Sequence, residues 1–329
     1  MTENMDGAAL PAPRRGKGGG ERALVPDADF RTYYDRPVLK EPVWKWEVPA
    51  YFFAGGLAAG SALLAVGAGV TRNTALARQA RVTAAVGAAA GTALLVRDLG
   101  QPSRFHHMLR VAKPTSPMNV GSWTLAAFST SAAVAAGSDI TGIARPVGRV
   151  AGVVAAALAP VLATYPAVLV ENTAVPVWHE AHRELPFVFA GSALASAGGL
   201  AAMLHRVETA RPARRMAVLG AIVEAAAAQR MEQQLPEVVG ETYKTGRAST
   251  LSKAARALTT TGAMTLARRG SRRRNAVMGG AMVLAGAALA RFAVMEAGRA
   301  SSRDPKQVVV PQRARLAAER DADALRGGI

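Results

Sequence analysis

The sequence predicts an all-α fold, a polytopic membrane protein of about eight transmembrane helices packed as helical bundles. Half of the 329 residues are hydrophobic and only 5% are aromatic. The apolar residues fall in long blocks rather than short amphipathic periods. Several blocks run for about 20 residues without a charge, which at about 1.5 Å per residue crosses a hydrocarbon core about 30 Å thick.

Taken in order, residues 1–43 read as a flexible arm. They contain APRRGKGGGERA with no apolar stretch behind it, unlike a cleavable signal, so insertion relies on the first span. Residues 44–300 hold the membrane domain. Uncharged blocks at 48–70, 118–138, 150–170 and 185–204 give four spans, and shorter blocks at 82–96, 216–228 and 275–290 extend through Arg and Lys side chains that snorkel to the headgroups. The weakest block, 257–267 between Arg256 and Arg268, is short for a span and becomes the seventh of eight. Residues 229–256 are polar with both charge signs and read as an extramembrane connection with an interfacial helix. From Ser301 the charged tail reads as a short surface helix or as disorder.

The formal net charge of +17 raises nucleic acid as a partner for a soluble chain, but here the charge sits in loops. One side collects Arg72, Arg78, Arg81, Arg145, Arg149, Arg206, Arg211, Arg214, Arg215, Arg268, Arg269, Arg272, Arg273 and Arg274 against Asp139 and Glu208 alone. The positive-inside rule places those loops in the cytoplasm, and both termini on the outer face of the cell membrane. Membrane lipid is thus the expected partner, and nucleic acid is not. Absent cysteine excludes disulfides, iron–sulfur clusters and thiolate zinc sites in this chain. The five histidines, His106, His107, His179, His182 and His205, lie at or beyond helix ends, so none pairs across the bilayer as haem ligands would. Small-xxx-small patterns at Gly56/Gly60, Gly87/Gly91 and Gly148/Gly152 let helix backbones approach closely.

Ionisable groups at membrane depth are functional candidates. Glu224 reads either as such a group, suited to proton transfer, or as a boundary residue of a span placed a few positions too early. Arg291 and Glu296 can satisfy each other or snorkel. In PVWKWEVPAYFF, Glu47 and Tyr51 stand four apart on one helical face, and in LATYPAVLVENT Tyr165 sits beside a proline, with Glu171 near the outer end. Phenols can hydrogen-bond a ligand carbonyl while a carboxylate handles its proton. Trp44, Trp46 and Tyr51 also fit an interfacial aromatic belt.

The connection DLGQPSRFHHMLRVAKPTSPMNVGSW, residues 98–123, concentrates polar groups that the rest of the chain lacks. Pro102, Pro114 and Pro117 keep it from being one helix, Ser116 or Asn119 can cap the third span, and Arg97, Arg104 and Arg110 are placed to neutralise Asp98. It reads as a cap that walls a cavity and offers a docking face through Arg104, His106, His107, Arg110 and Lys113, joined by Trp178 and His179, or as a stiff turn with satisfied polar groups.

The stretches YFFAGGLAAGSALLA, the 98–123 connection and ENTAVPVWHEAHRELPFVFAGSALASAGG, in that order, resemble the NrfD/PsrC family of membrane subunits over about residues 44–300. The resemblance implies eight helices without haem and a menaquinone- or ubiquinone-type ligand near the outer face. It also implies a ferredoxin-like subunit with four iron–sulfur clusters as partner, itself attached to a molybdopterin catalytic subunit. By motif the quinone contacts fall at Tyr51, where the PsrC type has His, and at Tyr165. The Asn one turn before the first position is Val48 here, and Glu47 stands in as the polar partner. Asp98, Glu171 and Glu224 are then proton carriers. An ion or metabolite transporter and a passive membrane anchor are the alternatives.

Overall fold

A computed structural model of the chain describes residues 38–270 and 272–327. The expected flexible arm lies outside the described residues up to position 37. Among the described residues eight long helices form the bundles, and a ninth forms the tail. In the first half these are α1 (Glu47–Val70), α2 (Thr74–Asp98), α3 (Pro117–Thr141) and α4 (Arg145–Glu171). After the short α5 (Pro176–Glu180) come α6 (Leu185–Leu204) and α7 (Arg211–Gln234), then the short α8 (Glu237–Lys244), α9 (Gly246–Arg269), α10 (Arg273–Arg303) and α11 (Lys306–Gly327). A 3-10 helix at Pro102–Leu109 interrupts the connection between α2 and α3, and no strand occurs among the described residues.

Five helices, α1, α2, α4, α6 and α10, are long and apolar enough to cross a membrane by length and composition. The chain is an all-α polytopic membrane protein, and the other three bundle helices fall short for different reasons. α3 is uncharged over the expected block, but its serines and threonines dilute its apolar average. In α7 and α9 the halves nearest their shared connection are polar, EAAAAQRMEQQ and GRASTLSKAAR. Helical structure enters the expected extramembrane connection from both sides. Residues 246–256 belong to α9, which is 24 residues long, and the interfacial helix of the expectation is α8.

Adjacent helices close two rings. α1 packs on α2, α2 on α3, α3 on α4 and α4 back on α1; α6, α7, α9 and α10 close a second ring in the same order. The rings meet through α6 against α1 and α4, and through α10 against α1. Close approach sets that seam: a Cβ on Gly60 of α1 would stand 2.3 Å from the Ala193 carbonyl oxygen of α6, so only glycine fits.

The two ends of the bundles differ sharply. At the arginine-rich end the links are three residues long at 71–73, 142–144 and 270–272, and six at 205–210. Asn73 caps α2 by accepting from the Leu76 N–H and donates to the Thr209 carbonyl, tying two links together. Gly142, at φ +75°, ends α3 in the left-handed conformation that glycine adopts without strain. The Arg81–Asp139 ion pair at 2.7 Å joins α2 to α3 there. At the opposite end the links span 99–116, 172–184 and 235–245.

The tail is not a loose surface segment at its start. Gln307 on α11 is buried, donates to Thr242 Oγ1 of α8 and accepts from Ser301 Oγ of α10, while the Val177 N–H donates to that same serine. This polar chain locks α5, α8, α10 and α11 together.

Candidate functional site

Glu47 is the first residue of α1, and Pro49 stands in its first turn, where the missing N–H costs nothing. Tyr51 follows one turn later on the same face. Both are buried, at 6% and 2% exposure. Arg97, near the end of α2, reaches Glu47 Oε1 from Nε at 3.6 Å, and its guanidinium lies over the Trp46 ring at 5.8 Å. Glu47 Oε2 and Tyr51 Oη, however, are buried without a hydrogen-bond partner. Each such orphan costs about 1–3 kcal/mol, so two of them a turn apart mark a place that an added polar group would complete.

The tyrosine rings sit in glycine notches. Tyr51 lies against Gly55 and, across the helix pair, against Gly91 of α2, where a Cβ would come to 3.4 Å. Tyr165 of α4 lies over Gly121 of α3, whose Cβ would come to 2.1 Å from the ring. Any side chain at Gly121 would evict Tyr165. Both tyrosines belong to one buried apolar cluster with Phe52, Phe128 and Leu162. A flat redox ring needs apolar walls, a donor for its carbonyl and a carboxylate for protons, and Phe52, Tyr51 and Glu47 supply these chemistries within two turns of α1. That set fits a quinone.

The 98–123 connection caps this end. Asn119, not Ser116, organises it: its Oδ1 accepts from the Lys113 N–H at 2.6 Å, and its Nδ2 donates to the carbonyls of Met108 at 3.2 Å and Val111 at 2.7 Å. Trp123 Nε1 donates to Val111 as well. Ser116 takes the capping role of α3. Arg104, His106, His107, Arg110 and Lys113 are all exposed, as is His179, whose Nδ1 lies 3.3 Å from the Glu171 carbonyl oxygen.

Three expectations need correction. Trp178 is no surface residue: at 0% exposure it donates from Nε1 to the Val294 carbonyl, stacks on Trp44 and fills the space over Gly298. Arg97 pairs with Glu47 rather than Asp98, which is half-buried at the end of α2. Arg291 and Glu296 do not satisfy each other. Glu296 pairs with Arg299, one turn on, while Arg291 is 2% exposed, donates from Nη2 to the Phe189 carbonyl at 2.8 Å and lies over that ring at 3.8 Å.

Glu224 stands inside α7 at 7% exposure, in the second bundle, away from the rim group. Glu171 closes α4, with Oε2 buried and unpartnered. Thus Glu47, Tyr51 and Tyr165 share one bundle, while Glu224 stands in the other. The sequence reading names Arg97 and Asn119 but gives them other roles, as a neighbour of Asp98 and as a candidate cap of α3. Arg97 sits at the charged end of a span, where a free cation and an ion-pair partner read alike, and Asn119 falls within a stretch whose turns pattern alone does not fix.

A family model described as polysulfide reductase matches residues 31–303. No curated protein matches the chain.

Proposed function

The chain belongs to the polysulfide reductase family, and from that premise we propose that it is the quinone-interacting membrane subunit of a multi-subunit oxidoreductase. In this reading it exchanges electrons between an iron–sulfur partner and the quinone pool. What carries the reading is the pair of buried, unpartnered atoms Glu47 Oε2 and Tyr51 Oη, set against apolar walls.

When bound, a menaquinone or ubiquinone supplies two-electron, two-proton chemistry. The residues of this chain bind, orient and hold protons. The Tyr51 hydroxyl donates to a carbonyl oxygen of the ligand, and Glu47 Oε2 accepts or returns a proton beside it. Arg97 engages the other carboxylate oxygen and so fixes which one faces the ligand. Because Tyr51 is buried, a ligand head reaches it by displacing a neighbour, and the exposed Trp46 and Arg97 above Glu47 have room to swing. Tyr165 walls the far side, while Asp98 and Glu171, at the ends of α2 and α4, lie between the site and water.

Arg104, His106, His107, Arg110, Lys113 and His179 then form a basic docking face for a four-cluster ferredoxin-like subunit, which bridges to a molybdopterin catalytic subunit. The loop-rich end lies outside the cell membrane and the arginine-rich end in the cytoplasm. The unbroken helices of both rings among the described residues support this reading over the transporter alternative.

The test is Tyr51→Phe, with Tyr165→Phe beside it, in the assembled complex. Quinone-coupled turnover should fall about tenfold, roughly one hydrogen bond's worth, while dye-linked activity of the catalytic subunit stays unchanged. Wild-type turnover in both assays would remove the site and leave a passive anchor.

A further inference from the structure

A second group of unpartnered polar atoms lies in the other bundle, outside the proposed quinone site. Glu224 Oε2 of α7, Tyr243 Oη of α8 and Thr259 Oγ1 of α9 are all buried without hydrogen-bond partners, and all three residues line one cavity of about 60 Å³. A water needs roughly 10–15 Å³ of such space and two to four polar partners. The cavity therefore has room and partners for a few waters, while alanines supply six of its thirteen other lining residues.

This cavity continues toward the loop-rich end. A second space, of about 180 Å³ beneath α8, shares Glu232, Tyr243, Ser252 and Arg256 with the first. The Glu232–Arg256 ion pair stands at the junction, half in water. Burial, and secondarily the Glu232 charge, hold the Tyr243 phenol well above its ordinary pKa, so it remains a neutral donor beside the passage. Glu224 lies ten residues before Gln234, about 15 Å from the loop-rich end of α7.

Toward the arginine-rich end α6 closes on α7 and α9 on α10, and the groove of about 490 Å³ left between α7 and α9 at Arg211 and Leu266 shares no residue with this cavity. A Cβ on Gly220 would stand 2.4 Å from the Ala195 N, one on Gly198 2.5 Å from the Ala217 N, and one on Gly262 2.7 Å from the Gly279 carbonyl oxygen. Backbone there meets backbone. The charged groups facing Glu224 are few: Arg291 from α10 and the Glu232–Arg256 pair from α7 and α9, with neutral Tyr243 from α8 and only Ser192 from α6.

We propose that the second bundle holds a blind proton well, in which Glu224 takes up and releases a proton through water entering beside Glu232 and Tyr243 at the loop-rich end alone. On uptake, an O–H bond forms at Glu224 Oε2 and one breaks in the adjacent water. That water is reprotonated from solvent, and no electron moves. Arg291, fixed on the Phe189 carbonyl, keeps a positive charge beside Glu224. The inference does not depend on the quinone site.

The experiment is infrared difference spectroscopy of the purified full chain in lipid nanodiscs, stepped between about pH 5 and about pH 9 and transferred into heavy water. A protonated-carboxyl band that vanishes in Glu224→Gln supports the proposal. So does exchange of that proton for deuterium slowed about tenfold or more in Ala255→Leu, which fills the chamber. Should Glu224→Gln fail to fold, Tyr243→Phe and Thr259→Val must each shift the band or slow its exchange in the intact carboxyl. An unchanged band in Glu224→Gln, or exchange at the wild-type rate in Ala255→Leu, Tyr243→Phe and Thr259→Val together, overturns it.

Discussion

In the first bundle three of four helices, α1, α2 and α4, are apolar enough to span a membrane on composition, whereas in the second only α6 and α10 are. The rings have the same order and start from the same end, yet they handle polarity differently. The first keeps it at the rim, in Glu47, Arg97 and the Asn119-stapled connection. The second draws it inward and answers it helix to helix, with Glu232–Arg256 between α7 and α9, Glu184–Arg230 between α6 and α7, and Arg291 on the α6 backbone. Hydropathy thus finds helices whose apolar run is uninterrupted, whether buried or outward-facing, and overlooks those whose polar face a neighbour satisfies.

The comparison can be broken most forcefully at the glycine contacts. Gly220→Leu should cost more than about 3 kcal/mol, beyond the usual range for overpacking, because neither backbone can retreat. Gly87→Ala in the first bundle, where a Cβ meets Ala58 and the Ala54 carbonyl at 3.1 Å, should stay within about 1 kcal/mol, since a small shift offsets the helix-propensity gain. Thermal unfolding in detergent measures both, and equal losses would mean that the bundles are packed alike.

Next in size is Arg291→Met. Losing a charged donor to a buried carbonyl should cost about 1.5–3 kcal/mol. Part of that loss should return in the double variant with Glu224→Gln, because the lone carboxylate is then gone; strict additivity in the cycle would show the two residues to be uncoupled.

Smaller still is Glu232→Gln. A half-exposed pair contributes at most about 1 kcal/mol and is screened by salt, so the variant and wild type should converge in stability as ionic strength rises.

The smallest effect sharpens the contrast between ends. Burial lowers the His205 pKa from its ordinary value, so the folded chain binds that proton less readily than the unfolded one. Its contribution is whole above about pH 6.5 and is lost as pH falls toward the depressed folded value. Melting curves at stepped pH should show a slight acid-side loss that His205→Gln flattens.

Much of the architecture was legible because long uncharged blocks admit one reading at membrane scale. The helix ends at Asn73, Ser116 and Gly142 follow from ordinary capping chemistry. The polar halves of α7 and α9 were not legible, since EAAAAQRMEQQ and GRASTLSKAAR look alike whether water or a facing helix satisfies them. Of the rim group, Glu47 and Tyr51 could be paired by their spacing, but the choice of Arg97 as the carboxylate's neighbour is a long-range contact that no local pattern encodes. Trp178 misled for a related reason. Followed by His179 and Glu180 it reads as an exposed aromatic, and only the notch at Gly298, some 120 residues on, gives it a place inside.

The short links at the arginine-rich end have a mechanical consequence. Three residues reach no more than about 10 Å when fully stretched, so paired helices cannot separate there, whatever binds elsewhere. Any breathing of the molecule must pivot about that clasp and reach its full amplitude at the far rim, so that the protein behaves like tongs, held shut at the arginines and free to part where Glu47, Tyr51 and the mouth beside Glu232 lie.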